Sequence, residues 1–260
     1  MVWQYCTNYK MFIMKKLFST MLIMASMVCV FSSCSEEEKK EEVLPDIPTT
    51  IGLKVGETYD LKYTSTWESS KSFVATVDSN GFVTARKVGE AVMSVPSKSL
   101  NCLVKVSANY TLYNEPLTNW GITKKEVKSI KGTPDSETDD AFGYLCNSSY
   151  APMEMYMFEN NKLVASVVLV KTEYTEQLVN HLMQRYEPIG VDSENYNLYF
   201  IDEEEFDDAK TAVVANLYNT SMWMVMYMKN PTTTRSGVGE EAFYDLLRNE
   251  ISNMNIINTK

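Results

Sequence analysis

Along most of the chain apolar and polar residues alternate with a period of two, the signature of half-buried strands. "LKVGETYDLKY", residues 53–63, places Tyr59, Leu61 and Tyr63 on one side of a strand, and Trp67 follows on a short one. "FVATVDSNGFVTARKVGEAVMSV", residues 73–95, then reads as a strand, a turn at Asp78-Ser79-Asn80-Gly81, a second strand, and Gly89 before a third. "NCLVKV" closes the set. Several short strands at this spacing predict a β-sandwich.

From about Asn109 the texture changes, because the period lengthens in two places to that of a helix. In "WGITKKEVKSIKGTPD", Thr123 is the N-cap, Glu126 completes a capping box, and Ile122 staples onto Val127. Gly132 stops the helix, with Pro134 beyond it. "AFGYLCN", "MEMYMFEN" and "KLVASVVLVK" read as strands, the last two joined by a hairpin at Asn160-Asn161. A second helix is predicted over 173–186, with Leu178, Val179, Leu182, Met183 and Tyr186 on its apolar face. Two or three strands follow in "YNLYFID", "TAVVANLYN" and "MWMVMYM". Helix then strands, twice over, predicts helices packed on an antiparallel sheet, either as a tandem helix-strand repeat or as a plain helix-on-sheet domain. After the threonine-rich linker "NPTTTRSG", Phe243, Leu246, Leu247 and Ile251 share one face of a terminal helix, or the terminus frays.

The one long apolar run lies near the N-terminus, at residues 17–31, behind Met14-Lys15-Lys16. At about 15 residues it has the length of a signal-peptide core and falls short of the roughly 20 needed to span a bilayer. Residues 1–13 fit no charged leader, so translation is expected to start at Met14. Ser32 and Ser33 precede Cys34, an arrangement that resembles the lipobox of bacterial lipoproteins, although Phe31 stands where leucine is usual. That resemblance implies cleavage after residue 33, diacylation of Cys34, and attachment to a membrane through the lipid. The alternative is an ordinary cleaved signal that leaves Cys34 as a thiol. "SEEEKKEE", directly after Cys34, is similar to the export signals of surface lipoproteins in Bacteroides-like bacteria, which implies the outer face of the outer membrane. Any soluble tether could carry the same charge.

Val55-Gly56-Glu57-Thr58, Trp67-Glu68-Ser69-Ser70, the run from Val74 through Gly81 to Ala85, and Val88-Gly89 together resemble the group 2 bacterial Ig-like domain of intimin- and invasin-type adhesins. The resemblance implies a sandwich that serves as a spacer or an adhesive module. Gly121-Ile122-Thr123, Val127, Gly132-Thr133-Pro134 and the hairpin from Phe158 to Leu163 are similar to small envelope lipoproteins of the SmpA/OmlA and β-lactamase-inhibitor-like class, implying a protein-binding or assembly module. The expected organisation is multidomain: a signal peptide at 1–33, a lipidated charged tether at 34–46, and an all-β Ig-like sandwich at 47–108. An α+β domain at 109–230 and a linker with a C-terminal helix at 231–260 complete it.

Composition narrows the function. A net charge of -10 and a pI near 4.8 remove the electrostatic basis for holding phosphates, so nucleic acid is not an expected partner. Of the five cysteines, Cys102 and Cys146 remain after processing and Cys34 takes lipid; the two either pair or stay as thiols, thiols being the commoner outcome. His181 is the only histidine, at the edge of its helix's apolar face, where a histidine is ordinarily solvated. The acidic stretches 136–140 and 202–208 offer oxygen ligands for calcium without EF-hand spacing, and ordinarily form solvated loops. Met153, Met155 and Met157, and Met222, Met224, Met226 and Met228, line two strand faces that suit cuprous copper, an adaptable binding surface, or packing under the two helices. No catalytic residue, metal or cofactor is assigned. The leading expectation is a non-catalytic outer-membrane lipoprotein that binds protein or glycan at the cell surface. A periplasm-facing assembly or inhibitor protein comes second, and a glycan or peptide hydrolase third.

Overall fold

The computed structural model describes residues 44–231, of which those from Pro45 on form one compact unit. Cys34 and its tether up to residue 43, and the predicted terminal helix, lie outside the described residues. The described chain is rich in β-structure, with fifteen strands in three sheets and two α-helices.

The first two sheets enclose a single core. One has the order β1 (Thr50–Lys54), β7 (Leu100–Ser107), β6 (Gly89–Val95), β3 (Glu68–Ser69), with β1 running parallel to β7. The other has the order β2 (Thr58–Asp60), β5 (Phe82–Ala85), β4 (Ala75–Val77). Alternate residues of both face inward: Ile51, Leu53, Met93, Val95, Val104 and Val106 from one, Ala75, Val83 and Ala85 from the other, around Trp67, Phe73 and Val74. Gly81 closes the turn at φ +89, where a Cβ would meet the Tyr63 carbonyl at 2.8 Å, so both conformation and space demand glycine. A turn at Gly56, which has φ +88, separates β1 from β2, and β2 ends at Asp60, before Leu61 and Tyr63. Tyr59 is consequently exposed, while Leu61 is buried beside Trp67.

The third sheet is antiparallel throughout and has eight strands in the order β12-β13-β14-β15-β11-β10-β9-β8. Helix α1 (Lys124–Lys131) precedes β8 (Ser136–Glu137), β9 (Ala141–Leu145), β10 (Met153–Glu159) and β11 (Lys162–Lys171). Helix α2 (Thr175–Met183) precedes β12 (Glu187–Asp192), β13 (Asn197–Ile201), β14 (Thr211–Asn219) and β15 (Met222–Lys229). Each half is thus a helix followed by a four-strand meander, and the halves meet through their last strands, β11 and β15.

The first helix has the predicted punctuation. Thr123 Oγ1 accepts from Glu126 N, the Thr123 N–H donates to Glu126 Oε2 at 2.7 Å, and Gly132 ends the helix at φ 87. Val127 is buried against Phe142, Tyr156, Phe158 and Leu163, with Ile122 alongside. The Asn160-Asn161 hairpin also forms, with both residues at positive φ as a primed turn needs.

The second helix is shorter than expected. A 3-10 turn at Thr172–Tyr174 leads into Thr175–Met183, and Tyr186 lies beyond its end. Pro188 accounts for the extended conformation of Glu187, where β12 begins, since the residue before a proline is pushed out of the helical region. Residues 184–186 form the turn into β12, a fourth strand where two or three were expected.

The methionine stripes do not lie under the helices. Leu178 and Leu182 of α2 pack with Val225 and Tyr227, and Val127 of α1 packs with Tyr156 and Phe158. Met155, Met157, Met224, Met226 and Met228 occupy the alternate positions of the same strands and gather on the opposite face with Val167, Tyr199, Ile201 and Val214.

Candidate functional site

The polar groups with the most chemical potential meet where α2 ends against the first two sheets. His181, expected at a solvated edge, is 0% exposed. Leu112 N donates to its Nδ1 at 3.2 Å, so the proton sits on Nε2, which is 2.8 Å from Glu115 Oε1. The Tyr113 ring lies against the imidazole with centroids 4.2 Å apart. Burial pulls the histidine below its ordinary pKa, with the Glu115 hydrogen bond and charge acting the other way.

Glu115 gathers three donors. Besides His181 it receives the Tyr186 hydroxyl on Oε2 and faces Arg185 Nε at 3.3 Å. Next to this carboxylate, the Tyr113 and Tyr227 hydroxyls share a buried hydrogen bond of 2.7 Å. Burial first, and the Glu115 charge second, hold Tyr113, Tyr186 and Tyr227 well above the usual phenol range.

The arrangement resembles a base oriented by a carboxylate, but its chemistry is already spent. A general base needs a free nitrogen facing a substrate proton, and the backbone of Leu112 occupies Nδ1. What the cluster does is tie the loop through Leu112, Tyr113 and Glu115 to α2 and the sheet.

Lys87 extends the network into the first two sheets. It continues the inward parity of Val83 and Ala85, so its stem enters the core and its ammonium emerges at the end of α2. There Nζ donates to Met183 O at 2.9 Å and Tyr186 O at 2.8 Å, and lies 3.2 Å from Glu187 Oε2. A cation at a helix C-terminus satisfies carbonyls that have no partner within the helix. Burial lowers the Lys87 pKa, and attraction to Glu187 opposes that. Val88 N donates to Gln184 O at 2.9 Å, and Asn109 bonds both Gln184 Oε1 and Val55 O.

The acidic stretch 202–208 is the water-exposed loop expected between β13 and β14, and it also belongs to the same joint. Glu203 pairs with Lys71 at 2.8 Å and Glu204 pairs with Arg86. Asp202 Oδ1 accepts from the N–H groups of Lys210 and Thr211. In the other stretch, Glu137 pairs with Lys128 on α1. Among the described residues no group of three or more His, Cys, Asp or Glu is placed to hold a metal ion. Cys102 and Cys146 are both free thiols, and Cys102 is buried within the first core.

Glu115, Arg185 and Lys87 carried no motif, and only Lys87 announced itself, as a lysine on the inward side of an alternating run. Among the described residues no helix is long and apolar enough to cross a membrane. No protein-family model matches the chain, and no curated protein matches it in sequence.

Proposed function

We propose that this is a lipid-anchored envelope protein of bacteria, held by a diacylated Cys34 at the outer face of the outer membrane, with a non-catalytic role in binding protein or glycan. In this reading residues 47–108 are an Ig-like sandwich and 109–230 an α+β domain built as a tandem helix-strand repeat. The observation that carries the binding role is the use made of the polar side chains. His181, Glu115, Lys87 and the acidic residues Glu203 and Glu204 are all engaged in joining one part of the chain to another. Groups committed to internal joints support a rigid body that presents a surface rather than a reacting centre. The address rests on Met14-Lys15-Lys16, the apolar run and Ser32-Ser33-Cys34.

Two measurements test it. Labelled fatty acid should enter the wild-type chain and not Cys34→Ala, and protease added to intact cells should remove the wild type from the surface. Labelling that is equal in both would end the lipoprotein reading, and full protection from protease would move the protein to the periplasmic side. A soluble form starting at Ser35, used on a glycan array and in pull-downs from envelope extracts, should then give a saturable ligand.

A further inference from the structure

The methionine-rich face of the eight-stranded sheet is deeply buried although both helices pack on the other side. Met224, Met226, Val214 and Tyr199 are each 1% exposed, and Val167, Ala212 and Ile201 are 0% exposed. A sheet face open to water would expose side chains that stand perpendicular to it. Among the described residues, the only ones outside the strands that pack into this cluster are Phe206 and Ala209, in the loop before β14. Burial is complete on β13, β14 and β15 and at Ala165 and Val167 on β11, and becomes partial at Met155 and Met157 on β10 and at Ile189 on β12.

The chain leaves the described structure at the same corner. Beyond β15, Asn230 is 1% exposed; its Nδ2 donates to Phe206 O at 2.7 Å and Ala209 O at 2.9 Å, and its N–H donates to Lys210 O. After Pro231 the sequence continues to Lys260, and within it Phe243, Leu246, Leu247 and Ile251 recur at helical spacing among Glu241, Asp245, Arg248 and Glu250. The spacer 232–239 can reach about 27 Å, roughly the length of β15. A helix over 240–251 would be about 18 Å long, enough when laid across the sheet to reach over three to four strands about 4.8 Å apart. Reach, length and the extent of burial agree.

We propose that residues 240–251 form a third layer on the sheet, seating Phe243, Leu246, Leu247 and Ile251 on the methionine face over β13, β14 and β15. Thioethers suit this role because they adapt to the side chains laid on them and make favourable contacts with aromatic rings. The C-terminal segment is then part of the fold, and this face is closed to copper and to outside partners.

The test is oxidation of the soluble form starting at Ser35 and running to Lys260 by dilute peroxide, with each methionine followed by mass spectrometry. Met224 and Met226 should react on the order of tenfold more slowly than Met153 and Met222, and Leu246→Glu with Leu247→Glu should abolish the difference. Unchanged protection in that double variant overturns the proposal. Because the variant could unfold altogether, a photoreactive phenylalanine analogue placed at Leu247 gives an independent reading. Intramolecular cross-links to peptides containing β13, β14 or β15 support the proposal. Cross-links to a second copy, to another protein, or to other parts of the chain overturn it.

Discussion

Lys87→Met removes one ammonium and keeps the apolar stem, so it isolates the joint at the end of α2. In the wild type that ammonium donates to Met183 O at 2.9 Å and Tyr186 O at 2.8 Å, and both carbonyls lose their charged donor. Each such bond contributes about 1.5–3 kcal/mol. The Glu187 pair adds about 1 kcal/mol or less, since that side chain is 24% exposed and keeps water after the change. Against these losses stands the desolvation of the ammonium, the dominant influence that lowers its pKa, which the substitution relieves. The net expected loss is about 2–4 kcal/mol, and for a unit of this size that lowers Tm by roughly 5–15 °C. Differential scanning calorimetry of the form starting at Ser35 checks it. Because Lys87 bridges the first two sheets to the eight-stranded sheet, a single wild-type endotherm should separate into two in the variant. One endotherm within about 2 °C of the wild type would refute the claim that this lysine couples them.

Five further outcomes follow from other contacts. His181 is the only histidine, and its folded pKa lies below its unfolded value, so the unfolded chain takes up the proton first as pH falls; denaturant titrations should show stability declining below about pH 6.5, with a slope no steeper than about 1.4 kcal/mol per pH unit. Burial raises Glu154, which acts oppositely by adding stability as pH falls toward its unfolded value, so Glu154→Gln should steepen the decline and His181→Asn should remove it. Tyr227→Phe leaves the Tyr113 hydroxyl without its 2.7 Å partner and should cost about 1–2 kcal/mol in urea unfolding, with the double change to phenylalanine costing less than the sum of the two single ones. Glu203→Gln with Glu204→Gln removes two solvent-exposed pairs and should cost about 1 kcal/mol or less, a difference that disappears in high salt. Thr123→Ala removes the acceptor of the capping box and should destabilise by about 0.5–2 kcal/mol, measured as a lower urea midpoint.

Local signals in the sequence located most of the described elements. The α1 helix was legible residue by residue because Thr123, Glu126 and Gly132 act within one or two turns. The Asn160-Asn161 hairpin was legible for the same reason, since both residues accept positive φ. The end of α2 was not, because it depends on a cation from a distant segment: Lys87 is 96 residues before Met183 and binds its carbonyl. The face chosen by the methionines was hidden in the same way. Alternation places Met224 and Met226 together, but which side receives the helices depends on how the two meanders join at β11 and β15. The pairing of the exposed loop 202–208 with Lys71 and Arg86 was hidden too, because nothing local reveals either cation opposite it.

The joint also explains how a chain with a net charge of -10 holds its parts in one arrangement. Three cations of the first two sheets, Lys71, Arg86 and Lys87, each face a carboxylate of the eight-stranded sheet or its loops: Glu203, Glu204 and Glu187. The Lys71–Glu203 and Arg86–Glu204 pairs are open to water and contribute little stability. The central lysine is buried and makes directional bonds to two fixed carbonyls, so it defines one seating. Most of the energy of the joint therefore resides in the buried Lys87, and the exposed pairs add little to it. Both kinds of contact lie within the compact unit that begins at Pro45.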